Sequence, residues 1–453
     1  MQEITLLLAI AASIIVIALP PVWGLIIYIS ALGWYPAYIT VKLGTIDFSI
    51  TRIVILALLA GVYLKSSRPF KWIWLDKMVL IFFACQLIAG ITTTEMVQLA
   101  ENRAGAAFDF VLPYFAVRLI VNSYDKYLTL LKAMVVIAMP LAIVGFYQCL
   151  TGHNPVGFLK QYNAWKDIQN VAPIPRHGFF RADVTFPMSI MYGLYFSMLG
   201  PLVVGLYGRN PKFKAIAAIG LILYGMGTFA SMSSGPMLGL LVAGMFGLFF
   251  KYRRYWKHLV VVAILSCLVV EIISNRHFYD ALGRLTLNPA TAWYRSRLID
   301  VALFEGGMTD YWLTGHGFED PGWSLIIDNR DHTDIVNYYL LLLSVFGLVG
   351  LVPFIIILVL AFKNIARAFN IAITRDQKWV IWCLAASIVG SSLAIFTVSL
   401  FGQPLTAFFI TLALCGSSVE IMNSATAGMT YRYRETQNEK SSHHSGAALM
   451  KPL

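Results

Sequence analysis

The sequence predicts an all-α, polytopic membrane protein with about 12 transmembrane helices and a helical subdomain in one long outer loop. Of its 453 residues, 58% are hydrophobic and only 13% are charged, and the mean hydropathy is +0.71. Soluble globular proteins carry about 25% charged residues. A soluble fold is therefore excluded, and apolar runs of spanning length set the number of helices.

The apolar runs alternate with polar connections along residues 1–422, which we predict to form one transmembrane domain. Pro20-Pro21 interrupts the first run, so this run forms either one kinked span or two short spans. Counted once, it brings the number of runs to twelve. The runs lie at 4–34, 45–64, 77–92, 106–121, 128–149, 184–207, 213–230, 236–250, 258–274, 336–362, 379–400 and 404–421.

The basic residues predict which ends of the spans face the cytoplasm. Lys and Arg are concentrated in every second connection, and connections of this kind are cytoplasmic. The same side includes the polar tail 423–453, whose composition predicts disorder. The outer connections are then 93–105, 150–183 and 275–335, with very short turns near 231–235 and 401–403.

The net charge of +11 follows from these cytoplasmic basic residues, so we expect contact with membrane lipids and no nucleic-acid partner. The five cysteines lie in or beside apolar runs without a CxxC pair, which predicts small core side chains. No His, Cys and carboxylate residues stand at the spacing of metal ligands. We therefore expect neither a metal ion nor a cofactor.

The outer connections carry arginines that the positive-inside rule does not explain. The loop 275–335 has five arginines and no lysine, and a guanidinium matches phosphate geometry better than an ammonium does. Each arginine either pairs with one of the loop's many acids or binds an anion. The outer arginines are Arg176, Arg181, Arg276, Arg284, Arg295, Arg297 and Arg330.

Position favours some of these arginines as ligands of a lipid phosphate near the membrane surface. Arg181 precedes an apolar span, and Arg295 and Arg297 lie in an apolar helical pattern from Trp293 to Phe304. Arg297 also has Asp300 three residues further on, so the two can pair on one helical face.

The stretch DHTDIVNYYLLLLSVFGLVGL at 331–351 joins the long loop to a hydrophobic helix. Asp331, His332 and Asp334 are expected in the first turn of that helix, where Thr333 or Asp334 can serve as a helix cap. A His or Asp at this position can also accept a proton from a sugar hydroxyl.

Three segments resemble the bacterial O-antigen ligase and polysaccharide polymerase family. FFRADVTFPMSIMYG (179–193) is similar to the family's Arg-led entry into a central span. SRLIDVALFEGGMTDYWLTGHGF (296–318) resembles its Arg-led helix and Gly-x-Gly turn, and VNYYLLLLSVFGLVGL (336–351) resembles its Asn-x-Tyr-Leu helix. SMSSGPML (231–238) is similar to the family's Ser-Arg-Gly turn without the Arg.

The resemblance implies an inverting, metal-independent glycosyl transfer at the outer face of the bacterial inner membrane, with undecaprenyl pyrophosphate as leaving group. Arg181 and Arg297, the main candidate, would bind the pyrophosphate, with Arg295 and Arg284 as further candidates. In many members a His directly precedes the motif Asn, and Val336 stands there in this chain. The candidate bases are therefore His332, Asp334 and His316.

The implied partners are an undecaprenyl-pyrophosphate-linked glycan donor, a glycan or lipid A–core acceptor, and a chain-length regulator or export proteins. Because the His-Asn pair is absent, we expect an exopolysaccharide or O-antigen polymerase, with an O-antigen ligase as the alternative. A flippase or transporter for lipid-linked oligosaccharides is the alternative of another class. Its ionisable residues would be expected near the membrane midplane.

Overall fold

The computed structural model describes residues 2–43, 46–65, 69–164, 175–208, 211–274, 277, 279–280 and 289–448. It is 77% helix and 2% strand, which confirms the predicted helical class. One small antiparallel hairpin, in which Val41 pairs with Phe48, was not predicted from the sequence. Its strands are β1 (Val41–Leu43) and β2 (Ile46–Phe48).

Helices form along the apolar runs, including runs with an internal proline at Pro140, Pro201 and Pro353. A π-helical turn, Ala107–Val111, joins α5 to α6, and 3-10 turns occupy Gly157–Tyr162 and Phe249–Tyr255. The helices before residue 205 are α1 (Gln2–Ala18), α2 (Pro21–Trp34), α3 (Ile50–Lys65), α4 (Trp74–Thr93), α5 (Met96–Ala106), α6 (Leu112–Ile120), α7 (Tyr124–Thr151) and α8 (Ser189–Val204). The later helices are α9 (Pro211–Ala230), α10 (Ser234–Leu248), α11 (Trp256–Ile273), α12 (Pro289–Leu303), α13 (Trp323–Asp328), α14 (Tyr338–Ile371), α15 (Arg375–Ala394) and α16 (Gly402–Ala448).

Among the described residues, six helices are long and apolar enough to cross a membrane. They are α4, α7, α9, α10 with its following turn (Ser234–Tyr255), α14, and α16 as far as Ala427. Shorter apolar helices are Gln2–Ala18, Pro21–Trp34, Ser189–Val204 and Ile264–Ile273. These helices fit a membrane protein, and the number of twelve spans stays a prediction.

The first apolar run forms two antiparallel helices, not one kinked helix. Pro20 and Pro21 end α1 and begin α2, because Pro lacks an amide donor but suits the first turn of a helix. The hydroxyls of Thr5 and Tyr35 lie 2.7 Å apart, so the start of α1 meets the end of α2. Lys65 Nζ donates to Leu19 O (2.7 Å) at the other end of this pair.

The core of the bundle is built around α8, which is buried from Met191 to Val203 and packs against α7, α9, α10, α15 and α16. A buried ion pair joins the peripheral α4 and α6. Arg118 Nε and Nη2 donate to the two Asp76 oxygens at 2.8 and 3.1 Å, and Tyr114 Oη donates to Oδ1 at 2.7 Å. Both charges are satisfied, which is what burial of an ion pair requires.

The C-terminal helix α16 continues to Ala448, whereas the sequence predicts disorder from residue 423. The segment carries several Ala, Arg, Glu, Gln and Lys residues, which favour helix when they extend an existing one.

All five connections that we predict to be outer ones meet at one end of the bundle. Arg103 lies over the Phe318 ring (5.7 Å), which joins 93–105 to the long loop. Arg181 donates to Ser233, which joins 150–183 to the turn at 231–235. Ser399 donates to Ile335 O, which brings the turn before α16 to the same place. The alternation of charged connections therefore agrees with the packing.

The helix α14 is interrupted at Gly347, and the turn 312–317 fills the interruption. In a regular helix the amides of Leu348 and Val349 would donate to the carbonyls four residues earlier. Here they donate to Trp312 O (2.8 Å) and Leu313 O (3.1 Å). The two carbonyls of α14, Ser344 O and Val345 O, accept instead from the amides of His316 (2.7 Å) and Gly317 (3.2 Å). The turn thus forms hydrogen bonds with the four backbone groups of α14 that have no partner within the interrupted helix.

Two glycines permit this close approach of backbone to backbone. Gly347 has φ 62° and ψ −159°, a region that is nearly restricted to glycine. A Cβ there would lie 2.3 Å from Leu313 O, and a Cβ on Gly315 would lie 2.6 Å from Ser344 O. The Gly-x-Gly turn and the glycines of α14, which the sequence presents as separate motifs, are therefore two sides of one contact.

We expect Gly347→Ala to lower the stability of the protein by more than about 2 kcal/mol, because it adds backbone strain and a clash with Leu313. The measurement is thermal unfolding of the purified protein in detergent. Gly225→Ala in α9 is the matched control, since a Cβ there meets nothing within 4 Å. Equal melting temperatures for the two variants would contradict the proposed contact.

Candidate functional site

Three arginines from two outer connections converge at this end of the bundle, and we call Arg176, Arg181 and Arg295 the arginine cluster. The positive charge of Arg176 acts on both Arg181 and Arg295. Arg176 and Arg181 belong to the connection 150–183, and Arg295 lies on α12. The structure thus brings together two predicted pyrophosphate ligands, Arg181 and Arg295, from distant parts of the chain.

Backbone contacts hold Arg176 and Arg181 in place. Arg176 and Phe179 exchange both backbone hydrogen bonds (2.7 and 3.0 Å) around a two-residue turn. The central residues His177 and Gly178 have positive φ, as in the turns that join antiparallel strands. Ala182 N donates to Ala230 O (2.9 Å), which fixes the segment that carries Arg181 against the end of α9.

The arginines of the cluster form no ion pair with an acid in the described part of the chain. Arg181 Nη2 donates to Ser233 Oγ (2.9 Å), and Arg176 Nη1 donates to Met232 O (3.5 Å). Arg181 Nε and Arg295 Nε and Nη1 are buried, and none of them has a hydrogen-bond partner among the described residues. These are donor groups without an acceptor, at positions where an unmet donor is costly.

The acid nearest to Arg181 in sequence is engaged elsewhere. Asp183 accepts hydrogen bonds from Gln148 Nε2 (3.0 Å) and Asn154 Nδ2 (3.1 Å) and forms an ion pair with Lys160. The negative charge is therefore neutralised on the side of α7 and the following turn. The arginine cluster keeps its net positive charge.

Burial makes this positive charge unfavourable in the absence of an anion. Burial and, to a smaller extent, the nearby charge of Arg176 lower the pKa of Arg181 to about 10, with Asp183 opposing the shift. The pKa of Arg295 is also lowered by burial, with Arg176 adding to the shift and Asp334 opposing it. A perturbed pKa in a cleft indicates a functional site when a specific charge arrangement causes it. A dianionic or trianionic group would complete this arrangement.

The turn between α9 and α10 connects the two halves of the cluster. Ser233, which accepts from Arg181, is followed by Gly235, where a Cβ would lie 2.7 Å from Thr397 Oγ1. Thr397 lines a cavity of about 20 Å³ together with Arg295 and Asn337. A cavity of this size suits about one water molecule, and Arg295 is the member of the cluster that lines it.

The sequence predicts that the segment before α14 belongs to the first turn of that helix, but the segment is not helical. The helix begins at Tyr338, and its cap is Asn337, whose Oδ1 accepts from the amides of Tyr339 (3.0 Å) and Leu340 (3.2 Å). The expectation that Thr333 or Asp334 caps this helix is wrong, because Thr333 Oγ1 accepts from Ser324 N (3.1 Å) instead. Asn337, the Asn of the sequence motif, therefore caps α14 and also lines the cavity beside Arg295.

Asp334 is a candidate base whose charge acts on a member of the arginine cluster, Arg295. Its carboxylate forms no hydrogen bond or ion pair within the described residues, and it interacts electrostatically with Arg295, Arg330 and His332. Partial burial raises the pKa of Asp334, and these positive charges oppose the rise. A free carboxylate with a raised pKa beside a guanidinium is suited to accept a proton.

The two other candidate bases, His332 and His316, are less well placed than Asp334 to act on a substrate at the arginine cluster. His332 is 85% exposed, and its Nδ1 lies 2.7 Å from Asp320 Oδ2. The ring of His316 stacks on Tyr311 (4.0 Å between centroids), its Nδ1 has no partner in the described part, and burial lowers its pKa. His316 shares the contact with α14 at Ser344, not the contacts of the arginine cluster.

Arg297, the main candidate from the sequence, is occupied by an ion pair. Its two Nη atoms donate to the Glu305 oxygens at 2.6 and 3.0 Å, and Asp300 lies 3.6 Å from Nη1. Of the two alternatives for Arg297, pairing with acids or binding an anion, the structure shows pairing with acids. Arg284 lies outside the described residues.

The sequence did not single out Arg176, Ser233 or Asn337 as site residues. The spacing of Arg176 and Arg181, five residues apart in one outer connection, is a signal that could have identified Arg176. Among the described residues, no group of three or more His, Cys, Asp or Glu side chains could hold a metal ion.

The site therefore consists of three guanidinium groups and one carboxylate, that of Asp334, which form no ion pairs within the described residues, at one end of a bundle of apolar helices. No protein-family model matches this chain, and no curated protein matches it.

Proposed function

We propose that this chain is a membrane glycosyltransferase that polymerises lipid-linked polysaccharide repeat units at the outer face of the bacterial inner membrane. The observation that carries the proposal is the arginine cluster, whose buried guanidinium groups form no ion pair in the described chain and one of which, Arg295, interacts electrostatically with the carboxylate of Asp334. Pyrophosphate supplies several acceptor oxygens, and Arg binds such oxygens in pairs.

The proposal keeps the predicted topology of about 12 spans, with 150–183 and 275–335 outside and the tail in the cytoplasm. The contacts that unite the outer connections at one end of the bundle support this arrangement. The first apolar run takes part in it as two short antiparallel helices, Gln2–Ala18 and Pro21–Trp34.

In the proposed reaction, an acceptor hydroxyl oxygen attacks the anomeric carbon of the donor sugar from the face opposite the pyrophosphate. The bond between this carbon and the pyrophosphate oxygen breaks as the new glycosidic bond forms, so the configuration inverts. Asp334 takes the proton of the acceptor hydroxyl. Undecaprenyl pyrophosphate leaves with an additional negative charge, which the arginine cluster stabilises.

One experiment separates polymerase from ligase. Purified protein is incubated with a lipid-linked repeat unit, with and without lipid A–core, and the products are separated by size. We expect long lipid-linked chains without lipid A–core. Transfer only onto lipid A–core would identify an O-antigen ligase, and movement of the substrate across vesicles without a new glycosidic bond would identify a flippase.

We expect Arg295→Ala to reduce polymer formation by about 100-fold or more, because the loss of one preorganised donor to a developing anion has an effect of this size. Polymer formation is measured with purified protein in proteoliposomes. Arg297→Lys is the matched control on the same helix, since the ion pair with Glu305 already occupies that side chain. We expect it to retain most activity. If Arg297→Lys loses activity and Arg295→Ala retains it, Arg297 and not Arg295 is the pyrophosphate ligand.

We expect Asp334→Asn to lower the rate about 100-fold or more and to abolish the acid limb of the pH–rate profile. In the wild-type protein this limb lies above the ordinary pKa of Asp, because the pKa of Asp334 is raised and only the carboxylate accepts a proton.

Burial favours the neutral form of Asp334, so its contribution to stability is greatest at low pH and is lost as the pH rises through its pKa. The Asn variant should therefore fold normally at neutral pH. His332→Ala and His316→Phe are the controls, and an equal loss of rate in His332→Ala would contradict the choice of Asp334.

A further inference from the structure

A large apolar groove lies on the side of the bundle, between α9 and α10. Its volume is about 610 Å³, and it is lined by residues of α8, α9, α10 and α15. The groove exists because α9 packs mainly on α7 and α8 and α10 packs mainly on α8 and α15, so that the two helices contact each other little. Its outer rim carries exposed aliphatic side chains, such as Leu241 and Leu221.

The polar groups of the lining are satisfied within the protein. Thr228 Oγ1 donates to Tyr224 O (2.8 Å), Tyr224 Oη donates to Met134 O (3.1 Å), and Trp379 Nε1 donates to Val204 O (3.0 Å). The groove therefore presents a hydrocarbon surface. A ligand with polar groups along its length would lose hydrogen bonds to water without replacement.

Three glycines leave open space in the groove. A Cβ on Gly225, Gly244 or Gly247 would meet nothing within 4 Å, so close helix packing does not require glycine at these positions. Glycine is less favourable than alanine inside a helix. The lining of α10 runs from Met237 to Leu248, about 16 Å along the helix axis, which is more than half of a hydrocarbon core about 30 Å thick.

One end of the groove reaches the arginine cluster. Phe229 lines the groove, and its ring packs edge-on against Phe179 (5.5 Å), the residue that pairs with Arg176. Met232 N donates to Phe229 O (2.9 Å), and Met232 O accepts from Arg176. The apolar surface thus begins at Phe229, three residues before the Met232 carbonyl that Arg176 contacts.

We infer that this groove binds the prenyl chain of the lipid whose pyrophosphate lies at the arginine cluster. The inference rests on the proposed function, because it requires a pyrophosphate-linked lipid as donor. The groove would then orient the donor, with its hydrocarbon chain along α9 and α10 and its charged head at Arg176 and Arg181.

The test measures binding of undecaprenyl pyrophosphate and of inorganic pyrophosphate to the purified full chain in phospholipid nanodiscs. Gly244→Leu fills the groove without touching the cluster. We expect it to weaken binding of the lipid at least tenfold and to leave binding of inorganic pyrophosphate unchanged. Ala11→Leu, which also adds a leucine to an exposed small residue but on α1, is the matched control.

A second measurement does not depend on the folding of that variant. A photoreactive p-benzoylphenylalanine at Leu241 should cross-link to undecaprenyl pyrophosphate, whereas the same group at Leu265, exposed on α11, should not. One combination of results would contradict the groove assignment but not the proposed function. In that case the lipid binds tightly in a manner that depends on Arg295, Gly244→Leu has no effect on binding, and the two positions cross-link equally.

Cross-linking of phospholipid at Leu241 that undecaprenyl pyrophosphate does not displace would identify an ordinary lipid site and overturn the inference. If the wild-type protein binds undecaprenyl pyrophosphate no better than phospholipid, and Arg295→Ala changes nothing, the proposed function fails together with the groove.

Discussion

The exchange of backbone hydrogen bonds between the turn 312–317 and the interrupted helix α14 holds the long outer segment on the bundle. Backbone groups inside an apolar bundle cannot remain unpaired, because each would cost several kcal/mol. The interruption at Gly347 therefore requires a partner, and the turn supplies donors and acceptors in the order that a regular helix would use. Since α12 and the segment before α14 flank this turn, the positions of Arg295 and Asp334 depend on it.

The site combines two opposite electrostatic arrangements within a short distance. Asp183 and Glu305 are each neutralised by neighbouring cations, Lys160 and Arg297. Arg181 and Arg295 have no such partner among the described residues, and burial lowers the pKa of both. Isolated buried charges of like sign destabilise a fold. Their presence is explained if an anionic ligand supplies the missing charge, as the proposed pyrophosphate would.

The arrangement of the proposed site follows the two chemical parts of a lipid-linked donor. The turn at 231–235 separates a cationic region, which contacts Ser233 and Met232, from an apolar region that begins at Phe229. One short turn between α9 and α10 therefore marks the border between a charged head and a hydrocarbon chain.

The sequence by itself determined the properties that depend on local composition. Hydropathy predicted the helical class, and the basic residues predicted which connections share one end of the bundle. Gly315 and Gly347 stood in two separate motifs, a Gly-x-Gly turn and a hydrophobic helix. Even so, the sequence could not show that the two glycines meet, because their contact joins separate elements.

The tertiary structure decided which charged side chains are free, because pairing depends on distances in space. Arg295 and Arg297 are two residues apart in the same helix. Arg297 forms an ion pair with Glu305, whereas Arg295 belongs to the arginine cluster and experiences the charge of Arg176. The helix cap was decided in the same way. Asn337, not Thr333, begins α14, because Ser324 from another element engages the Thr333 hydroxyl.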